Sequence, residues 1–173
     1  MNAEKTNLKE KLFTWLFSRF PAIAEHWAEN FDAVKGEGIP WSPFKKPIED
    51  CRVALVTTAG VHLKAQTPFD MENESGDATF REIAGDCNSD ELMVTHKYYD
   101  HSSADKDINV VFPLDRLREM SAGGEVGELA PHHYSFMGHI VDEKIEGLIN
   151  ETAPVVAENL LADGVEAVLL TPG

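Results

Sequence analysis

The pattern of apolar positions predicts a buried strand near the start of the main body of the chain. Residues 53–57 read Val-Ala-Leu-Val-Thr, a short aliphatic run that follows a polar segment and leads into a small turn containing Gly60. A run of this length without alternation is typical of a strand covered on both faces, as in a parallel sheet. Ligands bind beyond the carboxyl ends of such strands. A plain strand-to-loop turn is the alternative interpretation.

Further strands are predicted along the second half of the chain. The stretches 91–99, 108–112 and 165–170 have the apolar content of strands, and Pro113 would close the second of them. The stretch 132–140 is ambiguous between strand and loop. The segments between the strands are predicted to be a long polar loop over 63–81, a short helix over 115–120 and a glycine-rich turn over 123–127.

A helix that precedes the last strand has recognisable ends. Asn150 or Thr152 is predicted to cap its N-terminus, with Pro154 in the first turn, where a missing N–H costs little. The helix should run to Asp163, and Gly164 should end it in the left-handed conformation. Helix, glycine and buried strand make half of a βαβ unit. The predicted fold class is therefore α/β: Rossmann-like, with a mostly parallel sheet and an N-terminal helical extension.

The N-terminal part of the chain has helical periodicity instead. Apolar residues recur every three or four positions over 5–20, and Pro21 ends this helix or opens a second one containing Ile23, Trp27 and Phe31. These aromatic side chains are expected in the core of the protein, the alternative being a partner subunit. The predicted organisation is a helical extension over 1–35, an ordered Gly- and Pro-containing connector over 36–50 and an α/β domain over 51–173.

The composition narrows the classes of partner. The chain has 173 residues and a net charge of −15, which argues against nucleic acid and against an anionic membrane surface. Its N-terminus is charged and has the character of neither a signal peptide nor a membrane span. Cys51 and Cys87 have no CxxC spacing, so we expect a cytoplasmic protein with two reduced thiols.

Histidines are the main candidates for chemistry, because six of the seven follow residue 60 and most stand beside carboxylates or tyrosines. If the loops that carry them share one rim of the sheet, imidazoles and carboxylates converge there, which suits acid–base work near neutral pH. The predicted catalytic residues are His62, His96, Asp100, His101 and His133. The predicted substrate-binding residues are Thr57, Thr58, Tyr134 and Thr171.

A metal site is a competing hypothesis. Residues 96–101 read His-Lys-Tyr-Tyr-Asp-His, one residue away from the HxHxDH pattern of metallo-β-lactamase-like hydrolases, with Tyr98 in place of the second histidine. Loss of one imidazole from a three-histidine shell is serious. Hydrogen-bonded or substrate-facing histidines are favoured, and no metal is assigned. A metal-dependent hydrolase using His96, Asp100, His101 and His133 remains an alternative function, as does a non-catalytic assembly subunit.

Five segments stand in a fixed order along the chain: 53–62, 76–83, 96–117, 132–138 and 164–172. Together they resemble one known family, the selenoprotein B family of glycine, sarcosine, betaine and D-proline reductases. The resemblance covers roughly residues 51–173, and the N-terminal helices lie outside it.

The resemblance implies an oxidoreductase subunit that cleaves a C–N bond of an amino acid or related amine. A selenocysteine or cysteine would attack the substrate carbon, a neighbouring thiol would resolve the product, and dithiols would supply electrons. It also implies an oligomer with a pyruvoyl-bearing partner subunit that holds the substrate amine. His62, His96, His101 and His133 would steer protons to the leaving amine, with Asp100 orienting an imidazole.

The sequence departs from the family at its last residues. In the family the nucleophile follows the strand that corresponds to 165–170, and here the sequence stops at Thr171-Pro172-Gly173. Since the selenocysteine codon is normally read as a stop, we expect an N-terminal fragment, inactive as supplied, whose redox residue follows Gly173. A natural C-terminus on an edge strand is the alternative. Cys51 and Cys87 would be poor substitutes for the redox pair.

Overall fold

The protein is described from a computed structural model, which covers Leu12, Leu16, residues 19–29 and residues 42–173. The chain forms two compact units: residues 1–43 with 97–100, and residues 44–96 with 101–173. In chain order the helices and strands are α1 (Pro21–Glu29), β1 (Val53–Thr57), β2 (Val61–Leu63), β3 (Phe80–Ala84), β4 (Leu92–Val94), α2 (Leu114–Ala122), β5 (His132–Phe136), α3 (Lys144–Gly147), α4 (Ala153–Ala162) and β6 (Ala167–Thr171).

The first unit contains the predicted N-terminal helices. Leu12, Leu16 and Arg19 are helical. α1 begins at Pro21, which agrees with the prediction that this proline opens a second helix. Phe20 is described and is not helical. The remaining residues of the predicted first helix, together with Phe31, residues 36–41 and the side chain of Trp27, lie outside the described part. The predicted domain bounds therefore stay a prediction. Within the described part, no helix is long and apolar enough to cross a bilayer.

The second unit is built on a four-stranded mixed sheet in the order β3-β5-β1-β6. β1 runs parallel to β5 and to β6, while β3 is antiparallel to β5. A separate antiparallel ladder joins β2 to β4. The α/β class is confirmed, with a mixed sheet, whereas the Rossmann-like arrangement stays a prediction.

Both faces of the two central strands are covered. On one face, Val156 and Leu160 of α4 pack with Ala54, Tyr134 and Phe136. Because side chains alternate along a strand, His133 points to the opposite face, where it meets the ring of Phe112 edge-on at 6.2 Å between centroids. The predicted strand 53–57 is confirmed with the same bounds, and its continuous apolar run reflects this double coverage.

Some of the predicted strands are wrong or misplaced. Residues 108–112 form a 3₁₀ turn over Ile108–Val110, where the Asp107 carboxylate accepts the N–H of Asn109 and Phe112 N donates to Ile108 O. The strand predicted over 91–99 is only the three residues of β4, and the predicted loop 63–81 includes the ends of β2 and β3. The ambiguous stretch 132–140 contains the central strand β5.

The helix before β6 begins earlier than predicted. It starts at Lys144 and passes through a π-helical segment, Leu148–Thr152, before α4. Neither Asn150 nor Thr152 caps it, and the Thr152 hydroxyl donates to Ala78 O instead, at 2.7 Å. A wider turn before Pro154 makes room for a ring that would clash in a regular helix. The predicted end is confirmed: Gly164 has a φ of 72°.

Candidate functional site

One edge of the sheet is formed by the carboxyl ends of β1, β5 and β6. The hydroxyl groups of two threonines stabilise this edge. Thr171 Oγ1 donates to Val111 O at 2.7 Å, and Thr57 Oγ1 lies 3.1 Å from the same carbonyl oxygen. Thr57 Oγ1 also accepts the N–H of Ala59. These two predicted substrate-binding residues are thus held by bonds within the protein. Thr58, the next residue, is exposed at this edge.

The turn after β1 approaches the neighbouring backbone closely. Gly60 has a φ of 70°, and a Cβ there would lie 2.4 Å from Thr95 O and 3.4 Å from the Cβ of His96. A Cβ on Gly138, just past β5, would lie 2.9 Å from Thr58 O and 3.5 Å from His96 Nε2. The imidazole of His96 therefore packs at the carboxyl edge of the sheet, between the ends of β1 and β5.

The end of the described chain reaches the same turn. A Cβ on Gly173 would lie 2.3 Å from Ala59 Cα and 2.7 Å from Ala59 Cβ. Gly173 and His96 therefore pack against the same short segment, residues 58–60. The position after β6 and a predicted catalytic histidine share one edge.

His96 is neutral at pH 7 and has two histidine neighbours. It is only 8% exposed, and burial lowers its pKa to about 4, with a further lowering from the positive charges that His139 and His101 would carry. His101 Nδ1 contacts Asp105 Oδ1 at 2.9 Å. His139 Nε2 donates to Glu74 O at 3.0 Å. Three imidazoles thus lie in one region of the second unit.

His139 was missed by the sequence analysis. The signal that could have indicated it is its position three residues past the carboxyl end of β5. That signal could not be used, because the sequence pattern left 132–140 ambiguous between strand and loop. Asp105 was missed as the partner of His101. Asp100, which the sequence analysis assigned to that kind of role, belongs to the other compact unit with residues 97–99.

Three other predicted site residues lie elsewhere and make hydrogen bonds of their own within the protein: His62, His133 and Tyr134. Both ring nitrogens of buried His62 are engaged at 2.8 Å, Nδ1 by Leu63 O and Nε2 by Thr95 Oγ1. His133 and Tyr134 lie toward the amino end and middle of β5.

The hydroxyl of Tyr134 donates to Glu82 Oε2 at 3.2 Å, and burial, followed by the charge of Glu82, raises its pKa to about 12. Catalytic or substrate-binding roles for His62, His133 and Tyr134 stay predictions, but the geometry gives each a structural role.

The two cysteines are unpaired and buried. The thiol of Cys51 lies 3.3 Å from Pro47 O, to which it donates. Burial raises the pKa of the Cys87 thiol and outweighs the opposing effect of the Arg118 guanidinium. Among residues 42–173 and the other described positions, no group of three His, Cys, Asp or Glu side chains is arranged to hold a metal ion.

Comparison with known proteins identifies the family of the chain. The family model described as glycine/sarcosine/betaine reductase selenoprotein B matches residues 23–173. The chain is 44% identical over 133 residues to the D-proline reductase subunit gamma of Acetoanaerobium sticklandii, a match covering 77% of this chain and 53% of that protein. The match to residues 23–173 and this identity show that the chain belongs to the selenoprotein B family.

More distant relatives carry related names. The chain is 33% identical over 136 residues to glycine reductase complex component B subunit gamma of Carboxydothermus hydrogenoformans, covering 77% of this chain and 30% of that protein. It is 31% identical over 140 residues to sarcosine reductase complex component B subunit beta of Peptoclostridium acidaminophilum, with the same two coverages, 77% and 30%. The chain thus spans between about a third and about half of the length of these relatives. No solved structure matches it.

Proposed function

We propose that this chain is part of a reductase-complex subunit that cleaves the C–N bond of an amino acid or related amine, and that the redox selenocysteine or cysteine follows Gly173. The names of the relatives support the reaction class. The observation that carries the proposal is the packing of Gly173 and His96 on the same turn, residues 58–60. A residue added after Gly173 would start from the edge that holds the histidines.

The reaction replaces a C–N bond by a C–H bond. It consumes two electrons and two protons, and a dithiol that supplies the electrons becomes a disulfide. A selenol or thiol at the proposed position supplies the nucleophile that displaces the amine. This leaves the rest of the site with two tasks, to hold the substrate and to move protons.

His96 is suited to the proton transfer. Its pKa of about 4 keeps the imidazole neutral at pH 7 and makes it a weak base. In the proposed mechanism the negative charge of an incoming selenolate or thiolate raises that pKa, so that the ring takes up a proton and delivers it to the leaving amine. His101 and His139 lie in the same region, and Thr58 is the exposed hydroxyl of the edge. Cys87 is a poor nucleophile because its thiol is buried with a raised pKa.

The proposal extends to partners. The relatives are named as subunits or complex components, and we propose a pyruvoyl-bearing partner subunit for the substrate amine together with a thiol electron donor, in the cytoplasm. Glycine, sarcosine, betaine and D-proline are the substrates to test, because the family and the relatives bear their names.

The test begins with the nucleotides after codon 173. A UGA or a cysteine codon followed by an open frame with an early cysteine is expected, whereas UAA or UAG would overturn the proposed redox position. The full-length protein, purified with its partners, should then cleave the C–N bond of one of the four substrates in a dithiol-dependent reaction, which releases ammonia or an amine from glycine, sarcosine or betaine and opens the ring of D-proline.

His96→Gln should lower kcat by about 10²–10⁴, the usual range for loss of acid–base catalysis. His132→Gln, at a half-exposed histidine paired with Asp163, is the matched control and should keep its activity. Full activity of the His96→Gln variant would remove His96 from the mechanism.

A further inference from the structure

The strand β4 pairs on one side only, since within the described part of the chain its ladder contains no strand other than β2. Thr95 N donates to Gly60 O, so Thr95 and, two residues earlier, Met93 turn their backbone polar groups toward β2. In an antiparallel ladder these groups alternate between the two sides of the strand. The N–H and C=O groups of Leu92 and Val94 therefore point away from β2.

Three of these four outward groups make no hydrogen bond with any residue that the structure describes. Leu92 N donates to Ser89 O and so closes the preceding turn. Leu92 O, Val94 N and Val94 O remain. Val94 is only 7% exposed, and an unpaired backbone group of a buried residue costs free energy until water or a ligand bonds it. The outer edge of β4 thus offers an acceptor, a donor and a second acceptor in a row.

A groove of about 470 Å³ runs along this edge. It touches all three residues of β4, and because successive side chains point to opposite faces, a space that meets all three lies beside the strand. Ala104 and Ile108, which also line it, are 4% and 9% exposed and give it an apolar wall. A strand occupies about 5 Å by 10 Å in cross-section, so the groove holds about 10 Å of extended chain, or about three residues. That is the length of β4.

The charges at the rim of the groove favour one kind of occupant. Its exposed charged side chains are three carboxylates and two ammonium groups: Asp90, Asp105, Asp107, Lys64 and Lys106. The ammonium group of Lys64 already donates to Asp90 O at 2.6 Å, and the whole chain has a net charge of −15. A second copy would bring the same carboxylates against these, which opposes pairing. A strand that carries lysine or arginine is attracted instead.

We propose that this groove is a docking site for an extended segment of a partner protein, in which basic and apolar residues alternate. The segment pairs with β4 as the third strand of the ladder and bonds Leu92 O, Val94 N and Val94 O. Its apolar side chains lie on the buried face, with Leu92 and Val94. Its basic side chains lie on the face of Met93, which is 40% exposed. The inference rests on the proposed membership of a multi-subunit complex and not on the reaction.

Amide hydrogen exchange in the full-length protein tests the pairing. In the isolated subunit, the unpaired N–H of Val94 should exchange about tenfold faster or more than that of Met93, which is bonded in the ladder. In the complex, the Val94 N–H should slow by about tenfold or more, with little change at Met93. Equal exchange of Val94 with and without partners would overturn the inference. Protection of Val94 in the isolated subunit would also overturn it, because a segment of the same chain would then fill the groove.

Synthetic peptides test the chemistry of the occupant. The probe is a capped six-residue peptide of alternating lysine and valine, and its binding to the full-length protein is measured by fluorescence anisotropy. Replacement of its lysines by glutamate, or methylation of all its backbone nitrogens, should weaken binding by about tenfold or more, because the first change reverses the charge and the second removes the strand pairing. Equal binding of the three peptides, or no binding of the lysine–valine peptide, would contradict the proposal.

Two matched variants locate the site. Asp90→Lys reverses one charge at the rim, and Asp86→Lys makes the same change at an exposed aspartate after β3 that does not line the groove. The first variant should bind the lysine–valine peptide several times more weakly than the wild type, and the second should bind it as the wild type does. Equal affinities would place the peptide elsewhere and refute the site. A complex that protects Val94 but reduces none of the four amines would refute the proposed function and support the docking site.

Discussion

The imidazole of His133 accepts the backbone N–H of Leu55 through Nδ1 at 3.0 Å, inside the sheet and away from water. On the N-terminal side of Leu55, β1 makes its hydrogen bonds with residues 128–130. Val53 N donates to Glu128 O, and Ala130 N donates to Val53 O. Regular pairing with β5 includes Val56 opposite Tyr134. The side chain thus takes the place of a backbone acceptor between the two segments. His133 is part of the sheet ladder.

The two buried histidines should make the stability of the protein fall in mild acid. Burial lowers the pKa of His133 to about 4, and that of His96 to about 4 as well, against roughly 6.5 in an unfolded chain. Between these values the unfolded state binds more protons than the folded state. The stability present above pH 6.5 is therefore lost as the pH falls toward 4, by roughly 3 kcal/mol for each histidine.

Urea denaturation at several pH values would measure this loss. The variant His133→Gln should show a shallower decline between pH 6.5 and 4 than the wild type. His132 gives a contrast of opposite sign. Its hydrogen bond to Asp163 raises its pKa, so its contribution is present at low pH and lost as the pH rises through that pKa. A decline of the same steepness in the wild type and in His133→Gln would contradict the assignment.

Removal of the His133 acceptor should destabilise the sheet even at neutral pH. The variant His133→Leu leaves the buried N–H of Leu55 without its bond, at a cost of about 1–3 kcal/mol. His133→Gln can place an amide oxygen near the same N–H and should cost less. The difference between the two free energies of unfolding is the informative quantity, and equal values would mean that the hydrogen bond adds nothing.

Gly138 should be sensitive to a single methyl group because of what surrounds it. A Cβ there would lie 2.9 Å from Thr58 O and 3.5 Å from His96 Nε2. Gly138→Ala should lower the melting temperature and shift the NMR signals of His96. Gly147→Ala is the matched control, since its Cβ has nothing within 4 Å and the residue is helical. That variant should gain about 0.5–1 kcal/mol. Identical melting temperatures for the two variants would contradict the packing described for this edge.

The outer strand of the sheet should make the isolated chain prone to association. In β6, Leu170 is 72% exposed, and Val168 and Leu169 are about 40% exposed. An apolar edge strand is a template for pairing with other chains. Leu170→Lys should reduce the concentration-dependent rise in mass seen by light scattering. Leu161→Lys, at a position 73% exposed on α4, should have a smaller effect. An equal effect would point to general hydrophobicity rather than to the strand edge.

Cys87 should react slowly with iodoacetamide at pH 7. Burial raises the pKa of its thiol, and the thiolate is the reactive form. The alkylation rate, followed by mass spectrometry and corrected with a Cys87→Ser variant, should be well below that of a small free thiol. A rate equal to or above that of the free thiol would make Cys87 a candidate nucleophile.

Local signals in the sequence were enough to predict several parts of this protein. The run 53–57 predicted β1 because a strand buried on both faces has to be apolar throughout. Gly164 predicted the end of the last helix because that position has a positive φ. The order of five segments was enough to identify the family, because the order of segments along the chain does not depend on how those segments pack.

Other features depended on contacts between distant parts of the chain. Residues 108–112 have the apolar content of a strand, but the Asp107 cap turns them into a 3₁₀ turn, and an apolar run alone cannot distinguish the two. β5 carries two histidines and a serine and becomes a central strand only because β1 and β3 pair with it. His139 likewise gains its contact with Glu74 O only through the folding of segments that are distant in sequence, whereas the contact of Asp105 with His101 is a local one within a single turn. Periodicity and capping are local and can be inferred from the sequence. Contacts such as that of His132 with Asp163, 31 residues apart, and the packing of His96 on the turn after β1 depend on where the chain reverses, so only the tertiary structure decided them.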